Sequence, residues 1–274
     1  MKPKIIAKIE SEETASKLAV LIDADNAQPA TFEYLLQEIA KYGEATVKRI
    51  YGDFTSPQNA QWRKILNEFA IKPMHQFNYT VGKNATDSTL IIDAMDLLYT
   101  RRFDGFCLVS SDSDFTGIAT RIREEGLMVY GFGRKTTPDS FKKACHKFIE
   151  TEILIPTPSP EEKSNPQKTT DSEQHHEKSI KNTVKKLPVD FILKALEESV
   201  DESGWAQIGT FGSYLNKLRP DFDSRQFGYK KLSDLIRAAN DIFTIEERKQ
   251  ANSDAKTLYL KAKKRKNKKS NKSI

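Results

Sequence analysis

The chain has 274 residues, 38% apolar and 30% charged, with a formal net charge of +6, a length that suits one large or two ordinary domains. No stretch approaches the roughly 20 continuous apolar residues of a membrane span, and the opening MKPKIIAKIESEE turns acidic early, which argues against a secretory signal. The two cysteines, Cys107 and Cys145, have no CxxC spacing, so a disulfide framework and a cysteine-rich zinc site are excluded and a reducing, cytoplasmic setting is favoured.

From Leu18 to about Ile155, short apolar runs alternate with longer helical periods. KLAVLID, TVKRIYGD, IKPMHQF, GFCLVSS and LMVYGFG read as strands. Between them the spacing predicts helices near Pro29–Lys41, Asn59–Phe69, Thr86–Arg101, Phe115–Glu125 and Pro138–Lys147. Pro29 at a helix start, with Gly43 and Gly126 beyond helix ends, fits the usual cap asymmetry. Strands rich in Val, Ile and Leu, separated by helices, indicate an α/β domain with a parallel sheet covered on both faces.

From Pro156 to Lys186 the text becomes PTPSPEEKSNPQKTTDSEQHHEKSIKN, almost without apolar residues, and reads as a flexible tether. The His175–His176 pair within it lacks the further ligands that a metal site needs. Residues 187–260 form a second unit: three amphipathic stretches, PVDFILKALEESV, WAQIGTFGSYLNKL and SRQFGYKKLSDLIRAA, then two strand-like runs, IFTIEER and KTLYLKA. Three helices followed by a β-ribbon outline a winged helix, with Trp205 read as a core residue. Residues 261–274, KAKKRKNKKSNKSI, hold eight Lys/Arg and no acid, so positions 1–260 carry 36 basic and 38 acidic residues. The basic excess belongs to this tail, which reads either as a disordered segment meeting polyanions through phosphate charge or as a plain solubilising extension.

Ligands of an open parallel sheet bind outside the carboxyl ends of its strands, and two strands here end in acids. The first breaks into Asp23-Ala24-Asp25-Asn26 and the fourth into Asp112-Ser113-Asp114. Carboxylates crowded together raise each other's pKa, and a divalent cation removes that penalty. Helix capping by Asn26 and Asp112 is the competing account, but it explains one residue per strand end rather than two clusters. On the third helix, at 100° per residue, Asp87 aligns with Ile91, Ala94 and Leu98 on the apolar stripe; Asp96 falls opposite and Asp93 on the border. An inward acid in a first turn also suits the helix dipole. Oxygen donors from three segments suit Mg²⁺ or Mn²⁺, which can hold a phosphodiester and activate water. His75 reads as a strand residue, the serines Ser110, Ser111 and Ser113 form no nucleophile elbow, and no Gly-rich phosphate loop follows the first strand. The Asp23-Ala24-Asp25 run also suggests dehalogenase-type phosphatases, but Ala27 stands where their hydroxyl residue is needed.

Three runs, LAVLIDADNAQ, VGKNATDSTLIIDAMDLLYTRRFDGFCLVSSDSDFTGIATRIREEGLMVYGFG and PDSFKKACHKFI, closely resemble the NYN domain, a branch of the PIN-like metal-dependent ribonucleases, over about residues 17–155. The resemblance implies a four-acid site of Asp23, Asp87, Asp112 and Asp114 holding Mg²⁺ or Mn²⁺ for RNA hydrolysis. It implies a second acid of the central helix at Asp93, and Asn26 positioning the phosphate or a ligand water. Serines Ser111 and Ser113 replace the two glycines of the family's Ser-Gly-Asp-Gly-Asp-Phe motif. Lys83, Arg134 and Lys135 can meet phosphates, or are simply solvated.

In the second unit, Trp205, Gly209, Gly212, Pro220-Asp221-Phe222 and Gly228-Tyr229-Lys230-Lys231-Leu232 resemble the OST-HTH or LOTUS domain. That likeness implies a winged helix associated with RNA, G-rich in some members, or with protein partners. Lys217, Arg219, Arg225, Lys230 and Lys231 can line one face with Tyr229 available to stack on a base; alternatively Tyr229 is core and the lysines are solvent face. The leading expectation is a cytoplasmic metal-dependent endoribonuclease with an RNA-binding second domain. The alternative is a non-catalytic adaptor that binds RNA or recruits protein, with a weak or silent metal site, and DNA as the winged helix's ligand stays open.

Overall fold

The structure is a computed structural model, described over residues 15–55, 59–75, 85–155, 187–250 and 253–263. The chain forms two compact units. In the first, strand β1 (Lys17–Asp23) is buried from Leu18 onward, as a strand covered on both faces must be. It pairs in parallel with β2 (Glu44–Gly52) on one side and β4 (Gly105–Val109) on the other. Outside these lie β3 (Lys72–His75) and β5 (Met128–Gly133), again parallel. With β6 (Lys147–Glu150) at the edge, the order is β3-β2-β1-β4-β5-β6. The chain winds outward from β1 in one direction and from β4 in the other. The crevice between their carboxyl ends is therefore the topological switch point, where such sheets take ligands.

The strand β6 departs from the sequence pattern, which extends a helix to Lys147. Helix α5 covers only Asp139–Ala144, and Cys145 is already extended at φ −85°, ψ 155°. The four-residue run KFIE is too short to display a period of its own. The other helices fall where the spacing puts them, somewhat trimmed: α1 (Phe32–Ile39), α2 (Trp62–Glu68), α3 (Ala85–Tyr99) and α4 (Thr116–Glu124). Helices α1 and α2 are joined by aromatic packing, Phe32 meeting Trp62 edge-on at 5.8 Å. Helix α3 lies against β1 and β2 and touches α4. At the end of β2, a Cβ on Gly52 would stand 2.7 Å from that of Ala24, so only a glycine lets β2 pass the loop that follows β1.

The second unit surrounds a core of Ile192, Leu196, Phe211, Leu215, Leu235, Ile236 and Phe243. Helices α6 (Val189–Glu197), α7 (Ile208–Leu218) and α8 (Leu232–Ala238) carry most of it. Strands β7 (Ala206–Gln207), β8 (Phe243–Gln250) and β9 (Ser253–Ala262) form an antiparallel sheet in the order β7-β9-β8. This is the expected winged-helix outline. Lys83, the 156–186 stretch with His175 and His176, and residues 264–274 lie outside the described residues.

Candidate metal centre

Because Ile22 is level with Val109 in the β1–β4 pairing, the next residues, Asp23 and Ser110, leave the sheet side by side. Ser110 is buried, and its Oγ donates to Asp23 Oδ2 at 2.7 Å while accepting the backbone N–H of Asp112 at 3.1 Å. One hydroxyl therefore ties the two acid loops together. Asn26 Nδ2 donates to the same Asp23 oxygen at 2.7 Å, and the N–H of Asp25 donates to Asp23 Oδ1 at 3.0 Å. Asp23 is only 1% exposed. Burial raises its pKa, opposed by the hydrogen bonds from Ser110, Asn26 and the Asp25 backbone.

Beside it stand three further acids. One carboxylate oxygen each from Asp87, Asp112 and Asp114 lies within 4.8 Å of the others. Asp87 comes from the first turn of α3, while Asp112 and Asp114 flank the start of a 3-10 turn, Ser113–Phe115, that leads into α4. Asp112 does cap that turn, accepting the N–H of Asp114 at 2.9 Å through Oδ1. Capping uses one of its two oxygens, so it does not account for the convergence. The pKa of Asp87 is pushed up from 3.8 to about 6, first by burial and then by the charges of Asp23, Asp112, Asp114 and Asp25. That order of causes makes the cluster an electrostatic unit: four carboxylates press on the fifth.

Serines in place of the motif glycines are accommodated without strain. Neither Ser111 nor Ser113 is among the described residues with positive φ. Ser111 also gains a contact a glycine would lack, its Oγ accepting the backbone N–H of Arg134 at 2.9 Å. That contact ties the acid loop to the loop following β5. The latter loop is held from its other side as well. Glu152 accepts the N–H of Lys135 at 3.0 Å, and the buried Lys142 donates to the Lys135 carbonyl at 2.8 Å. The side chains of Arg134 and Lys135 are exposed, where a phosphate can reach them.

Asp93 is not brought into the cluster. Its carboxylate accepts from Arg49 and from the hydroxyl of Tyr51, both on β2. Burial first, and then the Asp93 carboxylate, hold the Tyr51 phenol above its ordinary pKa, so Tyr51 stays a donor. The border position on the helix wheel points Asp93 at β2 and not at the crevice, while Asp96 is exposed as expected. Asp25 also lies aside, accepting from Asn59 at 3.2 Å.

In the second unit the expected basic face is divided. Lys217, Lys230 and Lys231 are exposed. Arg225 is taken up by Asp223, with Nε and Nη2 donating to its two oxygens at 3.0 and 2.7 Å. Arg219 pairs with Asp221 at 3.3 Å and lies over the Phe191 ring. Tyr229 packs half-buried against the core. Trp205, read from sequence as core, is instead half-buried and outside the core cluster, with Arg248 and Lys261 over its ring.

With the acid-ended crevice in place, the comparisons with known proteins are decisive for family. Residues 17–154 match the NYN domain. The chain belongs to the NYN family. NYN domains are of a PIN-like, nuclease type, in keeping with the doubly wound sheet. Residues 180–253 match the OST-HTH/LOTUS domain, whose members bind RNA. Among solved structures, an uncharacterised Nitrosomonas europaea protein determined by NMR is 50% identical, covering 36% of this chain and 92% of its own, with a TM-score of 0.29. A Vibrio parahaemolyticus protein of unknown function, determined by crystallography, is 20% identical, covering 50% of this chain and 93% of its own, with a TM-score of 0.42. A Chromobacterium violaceum protein is 30% identical, covering 29% of this chain and 83% of its own, with a TM-score of 0.23. No protein of curated description matches the chain.

Proposed function

We propose that the chain is a divalent-metal-dependent endoribonuclease, cutting RNA at the first domain and binding it with the second. We assign the NYN domain to residues 17–155, a linker to 156–186, the OST-HTH domain to 187–263, since β9 runs past residue 260, and a basic tail to 264–274. The observation that carries the reading is the meeting of Asp87, Asp112 and Asp114 oxygens within 4.8 Å at the switch-point crevice. Such hard oxygen donors fit Mg²⁺ or Mn²⁺ and not a thiolate-loving metal. Asp87, Asp112 and Asp114 would hold the ion, with the Asp23 carboxylate near enough to act on Asp87. Once bound, such an ion offsets the carboxylate repulsion, steadies a phosphodiester oxygen and lowers the pKa of a water.

The chain's own residues do the positioning. Asn26 and Ser110 fix the Asp23 carboxylate, and Ser110 sets the start of the Asp112 loop. Arg134 and Lys135 stand on an anchored loop beside that site and would take the RNA backbone, as would Lys83 from the approach to α3. Exposed Lys217, Lys230 and Lys231 support RNA binding by the second domain. Arg219, Arg225 and Tyr229 support it only indirectly, by shaping that surface. Both cysteines are free and buried, which supports a reducing, cytoplasmic setting, and no described helix is long and apolar enough to cross a membrane.

The test is cleavage of single-stranded and structured RNA by the purified chain with Mg²⁺ or Mn²⁺, beside Asp112→Asn. Asparagine keeps an oxygen to cap the 3-10 turn but removes one of the three carboxylate charges. Cleavage by the parent and a loss of at least about 100-fold in the variant is expected, as for other charge-stabilising groups. RNA binding without cleavage under either metal would mark an adaptor.

A further inference from the structure

The sheet of the second unit has an inner and an outer face, and the outer one is unlike a plain solvent face. In β7 and β9, Ala206 sits level with Leu260 and both are buried. Successive strand residues alternate between faces, so Trp205, Gln207, Tyr259 and Lys261 turn outward together. On β8, Arg248 is opposite Thr257. Its guanidinium lies 5.0 Å from the centre of the Trp205 ring and 4.5 Å from that of Tyr259, and Lys261 Nζ is 5.9 Å from Trp205. Two aromatic rings and two cations thus form one patch.

The turn before β7 is built to hold Trp205 there. Asp201 Oδ1 accepts the N–H groups of Ser203 and Trp205 at 2.9 and 3.0 Å and the Ser203 hydroxyl at 2.6 Å. Gly204 takes φ +75°, and a Cβ on it would come within 3.1 Å of Lys261 Nζ. A large ring, fixed outward by a pinned turn and joined by an arginine, is an arrangement that stacks unpaired bases. Glu246 at 3.1 Å and the Asp201 carboxylate offset part of the Arg248 charge, while Lys261 brings a second cation to the Trp205 ring.

We propose that Trp205, Tyr259 and Arg248, on the outer face of the β7-β9-β8 sheet, form a stacking platform for bases of single-stranded RNA. The proposal deepens the RNA-binding reading of the second domain and moves its centre from the helices to the sheet. Three of the six residues expected to contact RNA on the helical side, Arg219, Arg225 and Tyr229, are engaged within the domain itself.

The chain has two tryptophans, and Trp62 is 1% exposed within the core of the other unit. Trp205 therefore reports on the platform. The experiment titrates the full chain carrying Trp62→Phe with oligoadenylate and oligouridylate in EDTA, which prevents cleavage. Tryptophan emission and the anisotropy of a labelled oligonucleotide are followed together. The platform predicts quenching by both oligonucleotides that saturates with the anisotropy. It predicts an affinity loss of about tenfold for Trp205→Ala, the effect of removing one stacked base, with a smaller loss for Trp205→Phe, which keeps a ring. The double variant Lys230→Ala, Lys231→Ala is expected to weaken binding while leaving the quench intact. RNA that binds without changing the emission overturns the platform and leaves RNA binding standing, as does undiminished affinity in a folded Trp205→Ala. A parent chain that binds no RNA overturns both, whereas loss of cleavage in Asp112→Asn is independent of either result.

Discussion

Asp87 concentrates the electrostatic cost of the first domain. Its folded pKa of about 6 lies above the ordinary 3.8, chiefly through burial and then through Asp23 and Asp112. The folded protein therefore holds a proton that the unfolded chain has released between pH 4 and 6. For an acid raised in this way, the associated stability is present below about pH 4. It falls as pH rises through 6 and stays lost at neutral pH. The buried Asp23, also raised, adds in the same direction. Metal-free protein at pH 7.5 should consequently melt at a lower temperature than its Asp87→Asn variant, and the gap should close toward pH 4. Divalent cation should reverse the order. A ligand that binds only the folded state raises stability by mass action, and protons compete with it for the carboxylates, so the rise in melting temperature with Mg²⁺ should be larger at pH 7.5 than at pH 5. Thermal melts in EDTA and in Mg²⁺ across this range measure all three outcomes. An Asp87→Asn variant less stable than the parent in EDTA at pH 7.5 would contradict the account.

Helix α3 shows how one element separates two jobs that its sequence leaves mixed. Its first turn delivers Asp87 to the crevice, and its middle is bolted to β2 by Asp93 through Arg49 and Tyr51. Asp93→Asn should therefore cost about 2 kcal/mol in metal-free urea unfolding, the scale of a hydrogen bond to a charged partner. Asp112→Asn should cost nothing there or even stabilise, because it relieves repulsion and keeps its cap. If both variants lose stability equally, Asp93 and Asp112 are not doing different things. Local sequence carries only part of this division. The strands β1 to β5, the acids at the ends of β1 and β4, and the inward turn of Asp87 follow from local period and strand polarity. The partners of Asp93 lie more than 40 residues away on β2, and a helix wheel that puts it on the border cannot choose between crevice and strand. Ser110 shows the same limit. Considered as a nucleophile it is unremarkable in context, and its linking role exists only once β1 and β4 lie side by side. Trp205 departs from its sequence pattern for a different reason: its bulk suggests a core, but its neighbour Ala206 is the residue that pairs level with Leu260, and alternation turns the ring outward.

At the scale of the whole molecule, the distribution of charge bears on the proposed activity toward RNA. Positions 1–260 are slightly acidic, with 36 basic against 38 acidic residues, and the crevice brings oxygens of three carboxylates within 4.8 Å of one another. An anionic crevice repels phosphate until a cation occupies it, so under the proposed function RNA would have to be retained by something other than this crevice. The basic C-terminal segment is suited to that task, but it does not begin where its composition does. Lys261 and Ala262 belong to β9, and Lys261 pairs across to Thr244 in the sheet. A truncation meant to remove charge without damaging the sheet should therefore start at Lys264, which takes away six of the eight tail Lys/Arg. Each phosphate neutralised on a single strand contributes about 0.7 to the slope of log K against log salt. Deleting 264–274 should flatten that slope by up to about 4 and lower affinity evenly across RNA sequences, while the quenching of Trp205 at saturation and the rate of cleavage at saturating RNA stay unchanged. Binding measured between about 50 and 200 mM salt, over which released counterions make affinity fall steeply, separates the two roles. A sequence-selective loss, or a fall in the saturated rate, would mean that the segment reads or positions RNA instead of only holding it near.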